Sequence, residues 1–165
     1  MCLVNESDEI VGYLDRTKVD YQTMIYRVTA LWLTNPKKEI LIAKRSNNKD
    51  RDPGKWGPAV AGTVEKGESY QSNIYKEAGE EIGLTGYTFK LGPKLRMTSP
   101  RNYFCQFFFL ELSVLKSDFV LQRTEVDAVA WISKPDLRND VAINPAKYIP
   151  SFPAVLAGLY PAEQL

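Results

Sequence analysis

The sequence predicts an α/β protein of three layers, a mixed β-sheet with helices on both faces. Three observations carry this expectation. Short runs rich in β-branched and aromatic residues recur before and after residue 69. Between them, Ser69 to Ile82 has the apolar period of a helix. Near the end of the chain, Phe152 to Tyr160 carries a second helical pattern. The 165 residues are enough for one sizeable core, and residues 1–165 are read as a single unit.

In order along the chain, Leu3 to Val11 holds two apolar patches around "NESDE" and predicts a small hairpin. "YRVTALWL" (Tyr26 to Leu33) alternates and predicts a strand. Asn35-Pro36 marks a turn, and "EILIAKR" (Glu39 to Arg45) predicts the returning strand. Ser46 to Lys55 is a polar loop ending in Pro53-Gly54, followed by an extended piece from Trp56 to Gly62. The helix then begins at Ser69, and Gly83 is suited to end it in a left-handed cap. Beyond it, "YTFKL" (Tyr87 to Leu91), Tyr103 to Leu115 and Val126 to Ile132 predict strands. The second of these is apolar enough for the middle of a sheet. Its rings, from Tyr103 to Phe109, read as core packing rather than as a stacking site.

Composition narrows the function. Hydrophobic residues make up 44% and charged residues 25%, with a net charge of +1, which argues against a broad nucleic-acid or membrane surface. No apolar run reaches the ~18 residues needed to cross a bilayer, and "MCLVNESDEI" is too acidic for a signal peptide. Cys2 and Cys105 make no disulfide framework, so a reducing, cytoplasmic setting is expected. The chain has no histidine. Any metal must therefore be held mainly by oxygen, which suits Mg²⁺, Mn²⁺ or Ca²⁺ better than zinc.

The acid groups are unevenly placed. At about 100° per residue, Glu77, Glu80 and Glu81 share one sector of the helix, next to the sector of Ile74, Ala78 and Ile82 that would face the sheet. Adjacent carboxylates repel and raise each other's pKa, and a divalent cation reverses the sign of that interaction. Spacing over three glutamates alone is more often the mark of a solvated acidic face.

The longer pattern is more specific. Gly62, five residues, Glu68, seven residues and then "KEAGEEIGL" resembles the Nudix box, Gly-x5-Glu-x7-Arg-Glu-U-x-Glu-Glu-x-Gly-U, with U a bulky aliphatic. Gly62, Glu68, Glu77, Glu80, Glu81, Gly83 and Leu84 match; Lys76 keeps only the charge of the arginine, and Ala78 is a small U. "PGKW" at Pro53 to Trp56 and "EVDAVAWI" from Glu125 resemble further family features, and "VNESDEIVGYLDR" resembles the isopentenyl diphosphate isomerase subgroup.

The resemblance implies the Nudix α/β/α sandwich and a metal-dependent hydrolase of diphosphate linkages. Its substrate would be a nucleoside diphosphate linked to another group, or a similar small diphosphate, with no membrane or stable nucleic-acid partner. It implies Mg²⁺ or Mn²⁺ held by Glu77, Glu80 and Glu81 with the backbone carbonyl of Ala61. Glu125 would add a further metal ligand or act on the attacking water. Among these, Glu80, Glu81 and Glu125 are the expected catalytic groups. Glu68 would tie the loop to the helix, Gly62 would permit a tight turn, and Lys76 would steady Glu77 without a guanidinium's two-pronged contact. Arg45 and Lys55 are candidate phosphate contacts. Two other readings accompany this one. A non-catalytic Nudix-fold binding module is left open by Lys76. An isomerase is opposed by Ala61 and Thr63, which stand where that subgroup needs cysteine and histidine.

Overall fold

The computed structural model describes residues 1–161; the last four residues of the expected 1–165 unit lie outside the described residues. The elements are β1 (Cys2–Val4), β2 (Ile10–Tyr13), β3 (Ile25–Thr34), β4 (Ile40–Arg45), β5 (Trp56–Pro58), β6 (Val60–Thr63), α1 (Tyr70–Ile82), β7 (Lys90–Met97), β8 (Tyr103–Glu111), β9 (Val126–Ile132), α2 (Lys134–Ile143) and α3 (Phe152–Leu159).

The three layers follow from the period of two in the central strands. β3 sends Ala30 and Trp32 to one core and Leu31 and Leu33 to the other. β4 repeats this with Ile40 and Ile42 against Leu41 and Ala43, and β8 with Cys105 and Phe107 against Phe108. The first core is closed by Leu137 and Val141 of α2 and by Phe152, Val155 and Leu156 of α3. The second is closed by Ile74, Ala78 and Ile82 of α1, the face its periodicity assigns to the sheet. Strands buried on both faces read as nearly continuous apolar runs, which is why Tyr103 to Phe109 shows so little alternation.

β3 lies at the centre. One edge pairs in parallel with β8, from Tyr26↔Tyr103 to Thr34↔Glu111. The other edge is shared in succession by β1, by β6 (Val28↔Thr63 to Leu31↔Val60) and by β4. The turn at Asn35-Pro36 is present, but β3 and β4 meet only at Thr34↔Ile40. β6 occupies the edge that a simple hairpin would use, so β4 pairs instead with β5 and β9. The extended piece at Trp56 to Gly62 is consequently two strands, one on each ribbon.

Three boundaries differ from expectation. The strand anticipated at Tyr87 to Leu91 begins at Lys90. Phe89 is buried instead as a plug, stacked on Tyr75 at 4.4 Å with its amide donating to the Tyr75 hydroxyl at 2.9 Å. Gly92-Pro93 hid the rest of β7. An edge strand tolerates proline at a register slip, and here Gln106 Nε2 donates to the Gly92 and Pro93 carbonyls at 2.8 and 3.3 Å. β8 stops at Glu111 rather than Leu115. α2 was not expected at all. It is short, and Leu137 and Val141 are its only buried residues. Its start is nonetheless encoded, since Ser133 Oγ accepts from the Asp136 amide at 3.2 Å and Pro135 sits in the first turn.

Candidate active site

The loop from Gly62 to Ser69 and α1 form one locked unit. Ser69 and Ser72 cap the helix reciprocally, each hydroxyl accepting from the other's amide at 3.0 and 2.9 Å. Gly83 ends it at φ 69°, and a Cβ there would stand 2.9 Å from Val120 Cβ. Gly67 supplies the loop's own positive φ, 84°. Gly62 does something other than the expected tight turn. It is an extended β6 residue paired with Thr29, and a Cβ on it would lie 2.3 Å from Glu77 Cγ and 2.6 Å from Asn73 Oδ1. The missing side chain lets α1 press directly onto β6.

Asn73 is the hub that the sequence reading missed. It is fully buried on α1. Its Nδ2 donates to the Thr63 carbonyl (3.1 Å), Glu68 Oε2 (2.9 Å) and Glu77 Oε1 (3.3 Å), and its Oδ1 accepts from the buried Thr29 hydroxyl. It thus joins β3, β6, the loop and the helix. Asn73→Ala is expected to cost roughly 2–4 kcal/mol, because Thr29 and the Thr63 carbonyl lose partners inside the core; denaturant unfolding measures it.

Glu68 ties loop to helix, as its place in the box implies. It accepts from the Glu65 amide at 2.9 Å, from Asn73, and from Lys76 Nζ at 2.6 Å. Although desolvation opposes it, these donors hold its carboxyl below the usual range. Lys76 Nζ also stands 3.4 Å from Glu77 Oε1. Lys76→Met keeps the stem and removes the charge. It is expected to lower turnover about tenfold, the effect of losing a group that orients a ligand. Lys76→Arg, with a two-pronged donor, is expected to match or exceed the parent. Rates across a magnesium titration distinguish them, and identical curves would place Lys76 among idle surface charges.

Glu80 is exposed, whereas Glu77 and Glu81 are half-buried. Burial first, and the Glu77 charge second, push the Glu81 carboxyl up to about 8, while the Ala61 amide donates to its Oε2 at 3.3 Å and partly offsets this. Glu77 is raised too, again mainly by desolvation. The raised affinities were expected from repulsion along the helix; burial is the larger cause. Along β6, Ala61 N–H points to Glu81 and the Thr63 carbonyl to Asn73, both away from β3. In an extended strand the carbonyl of Ala61 shares the direction of its N–H, toward the acidic groups.

Glu125 arrives from the other ribbon, immediately before β9, and is ion-paired with Lys49. Arg45, at the end of β4, donates through Nε to the Arg51 carbonyl at 3.0 Å. Its desolvation, which outweighs the pull of Asp52, Glu81 and Glu125, lowers its pKa. It is therefore a half-buried cation among acids. Glu77, Glu80, Glu81, Glu125, Ala61 and Arg45 line one open cleft of about 580 Å³. Lys55 does not line it; only its backbone takes part nearby, its carbonyl accepting from the Arg45 amide at 2.9 Å. In its place the loop contributes Lys49 and Arg51. The sequence signal for these was a polar loop with several cations, too general to single them out.

Among the described residues no three acidic or thiol side chains are gathered into a finished metal cage. The donor set still fits a hard divalent cation. The Glu81 carboxylate is desolvated beside Glu77 and Glu125, with the Ala61 amide as its hydrogen-bond donor. A divalent cation would offset the repulsion among these carboxylates.

The NUDIX domain profile matches residues 24–152. The chain belongs to the Nudix family. Among Nudix relatives, it is 27% identical over 157 residues to an uncharacterized Nudix hydrolase of Pseudomonas aeruginosa, covering 94% of this chain and 88% of that one. A second uncharacterized Nudix hydrolase, from Yersinia pestis, is 28% identical over 135 residues, covering 79% and 70%. The Nudix fold is equally plain in solved structures. DR0079 from Deinococcus radiodurans superposes with a TM-score of 0.85 at 21% identity, covering 96% of this chain and 98% of that one. The NUDIX domain of Shewanella oneidensis NrtR, solved with ADP ribose, superposes with a TM-score of 0.60 at 12% identity, covering 87% and 89%. This Nudix chain is thus a member of a hydrolase family, and no helix among its described residues is long and apolar enough to cross a membrane.

Proposed function

We propose that this Nudix chain, acting as one unit over residues 1–165 in a reducing cytoplasmic setting, hydrolyses a diphosphate linkage with Mg²⁺ or Mn²⁺. The substrate is a nucleoside diphosphate linked to another group, or a similar small diphosphate. The observation that carries this reading is the meeting of the α1 carboxylates with Glu125 and Arg45, from the other ribbon, in one cleft. Glu77, Glu80, Glu81 and the Ala61 carbonyl would hold the cation, with Glu125 joining from the β9 side. When bound, the cation neutralises the diphosphate and lowers the pKa of a coordinated water. With the cation bound, Glu81 would be the carboxylate that accepts the water's proton. Glu125, across the cleft, helps orient that water. Arg45, fixed by the Arg51 carbonyl, presents its remaining donors to a phosphoryl oxygen. Asn73, Glu68 and Lys76 hold Glu77 against β6 and touch no reacting atom.

The test is a panel of diphosphate compounds, beginning with ADP ribose, incubated with Mg²⁺ and resolved by chromatography. A monophosphate product is expected. Activity is expected to disappear on chelation and to return with Mg²⁺ or Mn²⁺ but not preferentially with zinc. Full activity after exhaustive metal removal would defeat the proposal. Tight metal-dependent binding with no product would favour the binding-module reading.

A further inference from the structure

Resting on the hydrolase reading, we infer that the cleft recognises negative charge on the group beyond the scissile diphosphate rather than a base, and that Arg51 is the residue that recognises it. The cleft's lining among the described residues contains no aromatic side chain, and its only apolar members are Ala61 and Gly62. The apolar recess that opens from it at Arg45, Ala61, Glu81 and Glu125, walled by Ala43, Pro58, Val126 and Ile149, has about 40 Å³, space for a few waters rather than a base. A base is ordinarily gripped by stacking on a ring or between apolar walls. Three rings of neighbouring elements, Tyr21, Tyr70 and Tyr75, have a face covered by this chain's own groups. Arg51 lies 3.6 Å above Tyr21, Arg27 and Lys94 each lie 5.0 Å from Tyr70, and Tyr75 is stacked on Phe89.

The cations of the cleft are not equivalent. Arg16 is paired with Glu65, Lys49 with Glu125, and Lys76 with Glu68. Arg51 has no carboxylate partner among the described residues. Its backbone carbonyl fixes Arg45, and its guanidinium carbon lies over the Tyr21 ring, whose hydroxyl donates to the Arg16 carbonyl at 3.0 Å. A guanidinium held on a ring loses little freedom when it takes up an anion, and its fork matches a phosphate or carboxylate. Arg51 is a specificity residue beside the phosphate contact of Arg45.

Two substrate series test this. The first is the four common ribonucleoside diphosphates, for which kcat/KM is expected to agree within about threefold, since no pocket wall distinguishes the bases. The second compares 5-phosphoribosyl 1-diphosphate with ribosyl 1-diphosphate, which lacks the distant phosphate. The compound with the distant phosphate is expected to be preferred about tenfold or more, as a charge-assisted bidentate contact provides. Arg51→Gln and Tyr21→Leu are expected to collapse that ratio toward one, and Arg51→Lys to keep part of it. A spread of about tenfold or more among the bases, or an unchanged ratio in Arg51→Gln, would overturn the inference. If no compound is hydrolysed, the hydrolase reading fails instead. The same ratios, read as dissociation constants by calorimetry, then still decide whether Arg51 recognises the distant charge.

Discussion

Glu81→Gln is expected to lower turnover at least about 100-fold, beyond the loss seen when a group merely orients a ligand is removed. It keeps the shape of the side chain and its acceptor for the Ala61 amide, and removes the charge and the proton-accepting oxygen. The same change is expected to make the metal-free protein more stable, which a simple folding defect does not do. Burial raises the Glu81 carboxyl to about 8 in the folded chain, against an unfolded value of about 4.3. Between those values the folded state holds a proton that the unfolded state has released. Stability of the metal-free parent therefore falls as pH rises across that window, and above it the full penalty remains. The penalty is on the order of a few kcal/mol. Thermal unfolding from pH 5 to 8 is expected to show this slope in the parent, a shallower one in Glu81→Gln, and recovery of the parent with Mg²⁺. Parent-like turnover in Glu81→Gln would remove Glu81 from the chemistry, and a flat parent profile would remove the electrostatic argument. Glu80→Gln is expected to lose activity without the stability gain, because Glu80 is exposed.

Gly62→Ala is expected to be nearly as damaging through geometry alone. The new methyl would stand 2.3 Å from Glu77 Cγ and 2.6 Å from Asn73 Oδ1. Neither neighbour is a free end. Asn73 is held by four elements, and Glu77 is anchored through Asn73 and Lys76. Either α1 moves off β6 or Glu77 leaves its place. Overpacking of this kind costs about 1–3 kcal/mol, and displacing a ligand by about 1 Å costs roughly 100-fold in rate. Gly67→Ala is the comparison. Gly67 has φ 84° but nothing within 4 Å of its Cβ position, so only the backbone preference, about 1 kcal/mol, is lost. Unfolding midpoints and rates for both variants check this. Equal rates in the two would show that contact at Gly62 does not position Glu77.

By itself the sequence determined the class of fold, the family, and the acidic face of α1. Each of these is a local or periodic property. Ile74, Ala78 and Ile82 repeat at helical spacing, the apolar strands are read residue by residue, and the box spans 23 residues from Gly62 to Leu84. Even the cap at Ser69 and the stop at Gly83 are written locally. The tertiary structure alone decided which groups meet those acids. β6 displaces β4 from the edge of β3, so Arg45 and Glu125 reach the cleft on a second ribbon, while Lys55, ten residues from Arg45, does not line it. Asn73 looks like an ordinary polar helix residue until β3 and β6 close over it. Gly62 looks like a turn glycine until Glu77 is found against it. Burial, more than helical neighbours, set the proton affinity of Glu81. Desolvation and steric contact depend on atoms distant in the chain, and a one-dimensional pattern carries no record of that distance.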